Sequence, residues 1–386
     1  MHLLERYALG CGAKIGKPYI YDKYFPLPIK KYITLQPFSK YSSKCYDYWD
    51  DVVELIKPVL EKQEIKIVQI GGPKEASIQG CVNIQGQTNI PQCSHVIKNA
   101  MMHVGVDSFA AHIASGFGKK IVCMYSSNYA ENASPYWTDK EDVVLLTPDF
   151  STKKPSFAAQ ENVKAINSIK PETIAQAVLD LLDLKQSVNR ETLYIGETYG
   201  KRTFEWLPDC VVDTNALKID AVICRYDLHQ DMEYIKKQLE ISKLCIVTDR
   251  PFQIQTQKDK IKEVVFMINK DHYHPDFAKW CRQIDNLGIK LIILSKYPED
   301  QINDIKLDFM DIGQILYKKQ TTPKHLPVGT KIKYKSNRVI FSKGKMYPSR
   351  QAMDKGLDVQ SQWQFVEGEI TEDLLQELEY LYVEKA

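Results

Sequence analysis

The sequence predicts an α/β protein built from two doubly wound, Rossmann-like domains. Three observations carry this. Apolar runs of strand length alternate with segments of helical period along most of the chain, two such series follow one another with a break near residue 189, and a Gly-Gly pair follows one strand directly, as in loops that approach a ligand. The 386 residues allow two to three domains. Lys and Arg number 51 against 49 Asp and Glu, a net +2 that argues against a dominant polyanion-binding surface. No apolar run approaches the ~18 residues of a membrane span. The opening Met1-His2-Leu3-Leu4-Glu5-Arg6 lacks a signal-peptide pattern. The nine cysteines form no CxxC pair, and several sit in apolar strand-like runs, so reduced thiols in a cytoplasmic protein are expected.

The first series begins with a strand at 32–36, stopped by Pro37. Trp49, Val52, Val53, Ile56, Val59 and Leu60 recur at helical spacing and predict a helix over 46–62, with Asp50-Asp51 on a solvated face. A strand at 65–70 runs into Gly71-Gly72, and a short strand near 82–84 precedes a helix over 91–100. Strands at 102–106, 120–125 and 143–146 follow, the first two separated by a helix over 108–117. Pro171-Glu172-Thr173 opens a helix that carries Ile174, Val178, Leu181 and Leu182 on one face.

The second series starts at Thr192 to Gly196 and predicts strands at 221–224, 244–248, 264–268 and 290–294. Its helices fall near 229–241, 275–287 and 298–305. Beyond Pro323 the texture changes: Lys331 to Tyr334 and Arg338 to Phe341 read as a hairpin, and Asp373 to Tyr382 as a terminal amphipathic helix. The expected division is a connector-like segment at 1–30, a nucleotide-binding domain at 31–188, a second Rossmann-like domain at 189–322 and a small carboxyl-terminal extension at 323–386.

Three segments of the first series suit an anionic ligand. Val104 to Ala114 contains a strand end, then Asp107 or Ser108 as helix cap, then the small residues Ala110 and Ala111, so free amides and the positive helix end can meet a diphosphate. An ordinary capped helix fits the same spacing, and His112 reads equally as a core histidine or a ligand-side group. The segment from Gln36 to Trp49 leaves the first strand with Ser39, Lys40 and Lys44, which can neutralise phosphate or simply form a solvated basic loop. Gly71 and Gly72 let a ligand approach the backbone, and Glu75 can accept hydrogen bonds from ribose hydroxyls.

In order, Gln36-Pro37-x-Ser39 with Lys44 and Trp49, Ile70-Gly71-Gly72-x-x-Glu75, Gly86-Gln87-Thr88-Asn89-Ile90 and Val104-Gly105-Val106-Asp107-Ser108-x-x-x-His112-x-Ala114 resemble the carboxyl-terminal half of glycosyltransferase family 9, the ADP-heptose:lipopolysaccharide heptosyltransferases. His2 to Ile20 is similar to the connector preceding that half, and the resemblance spans residues 1–185. It implies a GT-B fold with a nucleotide-sugar donor held by the first domain: Lys44 at the phosphates, Glu75 at the ribose, and Asp107, Ser108, Phe109 and the following amides at the diphosphate. It also implies inverting transfer without a metal or other cofactor, the helix end and lysines stabilising the leaving group. The acceptor is expected to be a glycan or lipid-linked glycan.

The family places its acceptor lobe before this half, whereas here the second domain follows it, so the lobes are expected in permuted order. Glu197 and Asp249, at strand ends of the second domain, are the candidate bases, although a helix cap or salt bridge is the ordinary reading of each. Asp271-His272-Tyr273-His274 lacks a third metal ligand at a usual spacing and reads as a polar loop. The lysines and arginine from Lys331 to Lys345 suit either a soluble sheet edge or an acidic acceptor, nucleic acid included. Two other functions therefore stand beside glycosyl transfer to a glycan: a non-catalytic nucleotide- or glycan-binding assembly protein, and a nucleic-acid-modifying glycosyltransferase.

Overall fold

A computed structural model describes residues 1–151, 154–196, 199, 203–214, 221–253, 258–313, 315–317, 332–336, 339–347, 350–358, 366–368 and 379–385. The chain divides into two compact units, Met1–Glu191 with Lys385–Ala386, and Thr192–Glu384.

The first unit contains α1 (Leu3–Cys11), β1 (Tyr32–Gln36), α2 (Trp49–Lys62), β2 (Lys66–Gln69), β3 (Val82–Asn83), α3 (Ile90–Asn99), β4 (Met102–Val106), α4 (Phe109–Gly116), β5 (Lys120–Met124), α5 (Ala130–Ala133), β6 (Val143–Leu146) and α6 (Pro171–Leu181). Its sheet has the order β3-β2-β1-β4-β5-β6 with every neighbouring pair parallel. That order reverses between β1 and β4, and the carboxyl ends of the two strands flanking such a reversal open a crevice. The central strands β1 and β4 are buried along their length, as strands covered on both faces are. Tyr32, Val68, Ile70, Ile121 and Cys123 join Val96, Ile97, Ala110, Ala111 and Ala114 in one core. α2 buries Trp49, Val52, Val53, Ile56 and Leu60, and α6 buries Ile174 and Val178. Each such side chain contributes about 1.5–3 kcal/mol. The helix expected from 46 begins at Trp49, whose indole nitrogen donates to Pro37 O at 3.1 Å and ties the loop after β1 to α2. Asp51, expected in solvent, is 3 % exposed, and Asp50 accepts from the Gln79 amide at 2.9 Å: the turns after β2 fold over the start of α2.

The second unit contains β7 (Arg190–Ile195), which begins at its border, β8 (Thr203–Trp206), β9 (Ala221–Arg225), α7 (Met232–Ile241), β10 (Leu244–Thr248), β11 (Ile261–Ile268), α8 (Asp276–Asn286), β12 (Lys290–Ser295), α9 (Asn303–Asp308), β13 (Ile315–Tyr317), β14 (Lys333–Ser336), β15 (Val339–Ser342), β16 (Lys345–Tyr347), α10 (Arg350–Asp354), β17 (Val366–Gly368) and β18 (Glu379–Glu384). Its main sheet runs β13-β12-β11-β10-β9-β8-β15-β16, parallel except for the last pair, so the reversal falls between β8 and β15. A second sheet, β17-β14-β18-β7, takes in the strand expected to open the second Rossmann series.

Two expectations for the carboxyl-terminal segment are corrected. β14 and β15 form no hairpin with each other: β14 pairs with β17 and β18, while β15 pairs with β8 and β16. The sequence Asn337-Arg338 between them lacks the glycine that a tight two-residue hairpin favours. The terminal helix is replaced, from Glu379 onward, by β18, where Tyr380, Leu381, Tyr382 and Val383 are all buried. Aromatic and β-branched side chains suit a strand with both faces covered, and pairing with β14 decides the outcome over the helical spacing. Residues 373–378 of that expected helix, Lys331 and Arg338 lie outside the described residues. The segment's basic character is also locally balanced: Lys335 is 2 % exposed, Lys333 pairs with Glu384 at 2.7 Å, and Lys345 lies 3.7 Å from Asp358.

Candidate functional site

β1 and β4 lie side by side with Gln36 opposite Gly105, so the loops that follow both strands meet at the head of the sheet. Gly105 is required there, because a Cβ would sit 2.6 Å from Gln36 O. Lys44, on a 3-10 turn spanning Ser42–Lys44, forms an ion pair with Asp107, the residue after β4. The two side chains are 19 % and 8 % exposed, which keeps water from screening the pair fully.

Ser108 is the N-cap residue of α4, yet its hydroxyl does not cap the helix; it donates to Gln36 Oε1 at 2.8 Å. No acidic residue occupies the first turn. The positive end of α4 therefore opens beside a lysine ammonium without a side-chain acceptor of its own, an arrangement that attracts a phosphate group. An anion entering there competes with Asp107 for Lys44. His112, one turn along α4, has its pKa lowered by burial foremost, with the charges of His2 and Lys44 adding and that of Asp107 opposing. It is a neutral, partly buried imidazole facing this cluster.

On the β2 side, Gly71 has φ +150°, and a Cβ on it would lie 1.9 Å from Glu75 Oε2, so the Glu75 carboxylate folds back over bare backbone. Gly72 lies in the same place, with a Cβ reaching 3.3 Å from Glu75 Oε1. Burial raises the Glu75 pKa against the opposing hydrogen bond from the Gly72 amide, and Oε2 has no hydrogen-bond partner among the described residues. A ligand hydroxyl donating to Oε2 would satisfy it.

The structure thus brings Lys44, Asp107, Ser108 and His112 together, with Glu75 on Gly71-Gly72 beyond β1. The side chains of the remaining expected residues make other contacts or face solvent. Lys40 is exposed, its ammonium 5.9 Å from the Tyr41 ring; Ser39 is engaged through its backbone with the Cys45 thiol at 3.3 and 3.4 Å; the Phe109 ring is 44 % exposed. Gln36, the first residue of the Gln36-Pro37-x-Ser39 motif, holds Ser108. Two further contributors have no motif to announce them: Ser43 donates to Ala158 O at 2.6 Å, and Ser126, after β5, donates to Ser43 O at 2.9 Å.

In the second unit Asp249 follows β10, and its carboxylate meets Arg250 Nε at 3.0 Å, His272 Nε2 at 3.1 Å and Asn269 Nδ2 at 3.4 Å. Glu197 lies outside the described residues. Among the described residues no three His, Cys, Asp or Glu side chains gather into a metal-binding group, and no helix is long and apolar enough to cross a membrane.

Residues 20–165 match the model of glycosyltransferase family 9 (heptosyltransferase). The chain is similar to lipopolysaccharide heptosyltransferase 3 of Escherichia coli (strain K12), with 20 % identity over 168 residues, 38 % of this chain and 48 % of the relative. Among solved structures it is similar to a family 9 glycosyl transferase from Veillonella parvula DSM 2008, at 16 % identity and a TM-score of 0.33 over 40 % of this chain and 46 % of that one. It is likewise similar to E. coli ADP-heptose lps heptosyltransferase II, at 16 % identity and a TM-score of 0.32 over 40 % and 47 %. The chain spans about half the length of the curated relative it matches.

Proposed function

We propose that the first unit binds a nucleoside-diphosphate sugar and that the protein transfers its sugar to a glycan or lipid-linked acceptor with inversion. The observation that carries this reading is the uncapped start of α4 beside the Lys44–Asp107 pair at the β1/β4 reversal. The family match over residues 20–165 contains every residue of that cluster and supports it.

In this reading the diphosphate lies between the α4 amides and Lys44, and the ribose hydroxyls donate to Glu75. As the glycosidic bond breaks, negative charge grows on the diphosphate, where the helix end and the ammonium are already aimed, so they stabilise the transition state more than the ground state. Those two groups do the leaving-group work without a metal. Inverting transfer needs a carboxylate to take the proton of the acceptor hydroxyl, and Glu197 and Asp249 are the candidates.

Calorimetry of the full chain with ADP, UDP and GDP tests the donor site. At least one should bind, and Lys44→Ala should weaken it about tenfold or more, the scale of a charged hydrogen bond. Absence of binding to all three, or unchanged affinity in the variant, rejects the site.

A further inference from the structure

Four described non-glycine residues have positive φ: Glu64 at 58°, Phe157 at 54°, Asp183 at 59° and Lys343 at 49°. Three have an evident reason. Glu64 and Asp183 stand just past the ends of α2 and α6, and Lys343 lies in the turn joining β15 to β16. Phe157 ends no element, and a bulky side chain in that region is disfavoured by contact with its own backbone. The protein nevertheless holds it there firmly. The Phe157 amide donates to Ser127 O at 2.8 Å, Ala158 O accepts from the Ser43 hydroxyl at 2.6 Å, and Ala159 O accepts from the Ser43 amide at 3.2 Å.

The strained backbone brings no burial in return. The Phe157 ring is 66 % exposed, although hiding it would be favourable. It is not loose, however: Tyr129 meets it at 6.0 Å and 61°, and Phe150 meets Tyr129 at 6.1 Å and 67°, a run of tilted rings that supports Phe157 from one side. The segment 157–159 is thus fastened to the loop after β5 through the Phe157 amide and to Ser43, the residue next to Lys44, through the carbonyls of Ala158 and Ala159. Glu75 follows β2, on the other side of β1. A donor with its diphosphate at Lys44 and its ribose at Glu75 therefore has its sugar on the side where Phe157 stands.

We propose that Phe157, backed by Tyr129, is the stacking surface for the sugar ring of the donor, and so a specificity-determining residue of the transfer. The C–H-rich face of a pyranose lies flat on a phenyl ring, which leaves the hydroxyls pointing to solvent and polar partners. A sugar with axial hydroxyls on that face is excluded. The inference rests on the donor reading above and adds the place of the sugar to it.

The test uses Phe157→Gly, which keeps the backbone conformation, since glycine favours positive φ, and removes only the ring. Phe157→Tyr keeps the ring. ADP, UDP and GDP are titrated into the full chain by calorimetry, followed by the glucose conjugate of whichever binds, and the glucose proton shifts are read by NMR. The expected result is that Phe157→Gly binds the free diphosphate within about twofold of the wild type, binds the conjugate about fivefold more weakly than the wild type does, and loses the upfield ring-current shifts of the glucose protons, while Phe157→Tyr retains all three. Equal weakening for diphosphate and conjugate, or glucose shifts unchanged in Phe157→Gly, overturns the stacking surface and leaves the donor site standing. No binding of any diphosphate to the wild-type chain overturns both.

Discussion

His103 carries the clearest titration consequence of any single residue. Its ring is fully buried on β4, with Nδ1 3.0 Å from Thr34 Oγ1 and Nε2 without a hydrogen-bond partner among the described residues. Burial pushes its pKa from 6.5 down to about 3. In the unfolded chain the imidazole titrates near 6.5, so the unfolded state binds the extra proton between those values, and stability rises with pH across that window. The contribution is complete above about pH 6.5 and is lost as pH falls toward 3, with a slope of about 1.4 kcal/mol per unit in mid-window. His103→Leu should flatten the urea midpoint between about pH 4 and pH 6 relative to wild type; an unchanged slope would place the proton uptake elsewhere. Glu75 has the opposite sign. Its carboxyl is raised by burial, so its ionised form is the less stable one in the fold, and a hydroxyl donor at Oε2 relieves that cost.

Among elements, the β1–β4 pair governs the site, because the helix end and the lysine loop both hang from it. Gly105 is the point of closest approach: adding a methyl 2.6 Å from Gln36 O forces the two strands apart. Gly105→Ala should cost about 1–3 kcal/mol by denaturant unfolding and weaken diphosphate binding together with it, since Gln36 would no longer hold Ser108. Stability unchanged within about 0.5 kcal/mol would mean that the strands accommodate the methyl. The same pair shows what the sequence makes legible. Strands of the first sheet are readable because each is an apolar run closed by a turn, and the Asp107-Ser108 junction because a strand end meets small helix-starting residues. The direction of the Ser108 hydroxyl is not readable: capping α4 and bonding Gln36 are equally good locally, and only the neighbouring strand decides. β18 is the converse case, where leucine spacing suggests a helix and pairing with β14 imposes a strand.

For the whole molecule, two compact units with separate cores predict two unfolding transitions by calorimetry, and a diphosphate should raise only that of the first unit. At a ligand concentration of about 100 Kd the gain is about 2.7 kcal/mol, and a shift confined to the other transition would move the site out of the first unit. The connectivity of the second unit also imposes an order of assembly during synthesis. All strands of the first sheet lie within Tyr32–Leu146, so that sheet can close while the remaining chain is still being made. Among the described residues β7, by contrast, finds its neighbour in the late strand β18, with Gly196 N donating to Glu379 O at 2.8 Å, and β8 gains its second neighbour in β15. Until those late strands emerge from the ribosome, two strand edges wait with open hydrogen-bonding groups, the form in which a nascent chain is most apt to pair with a stranger and most in need of a chaperone.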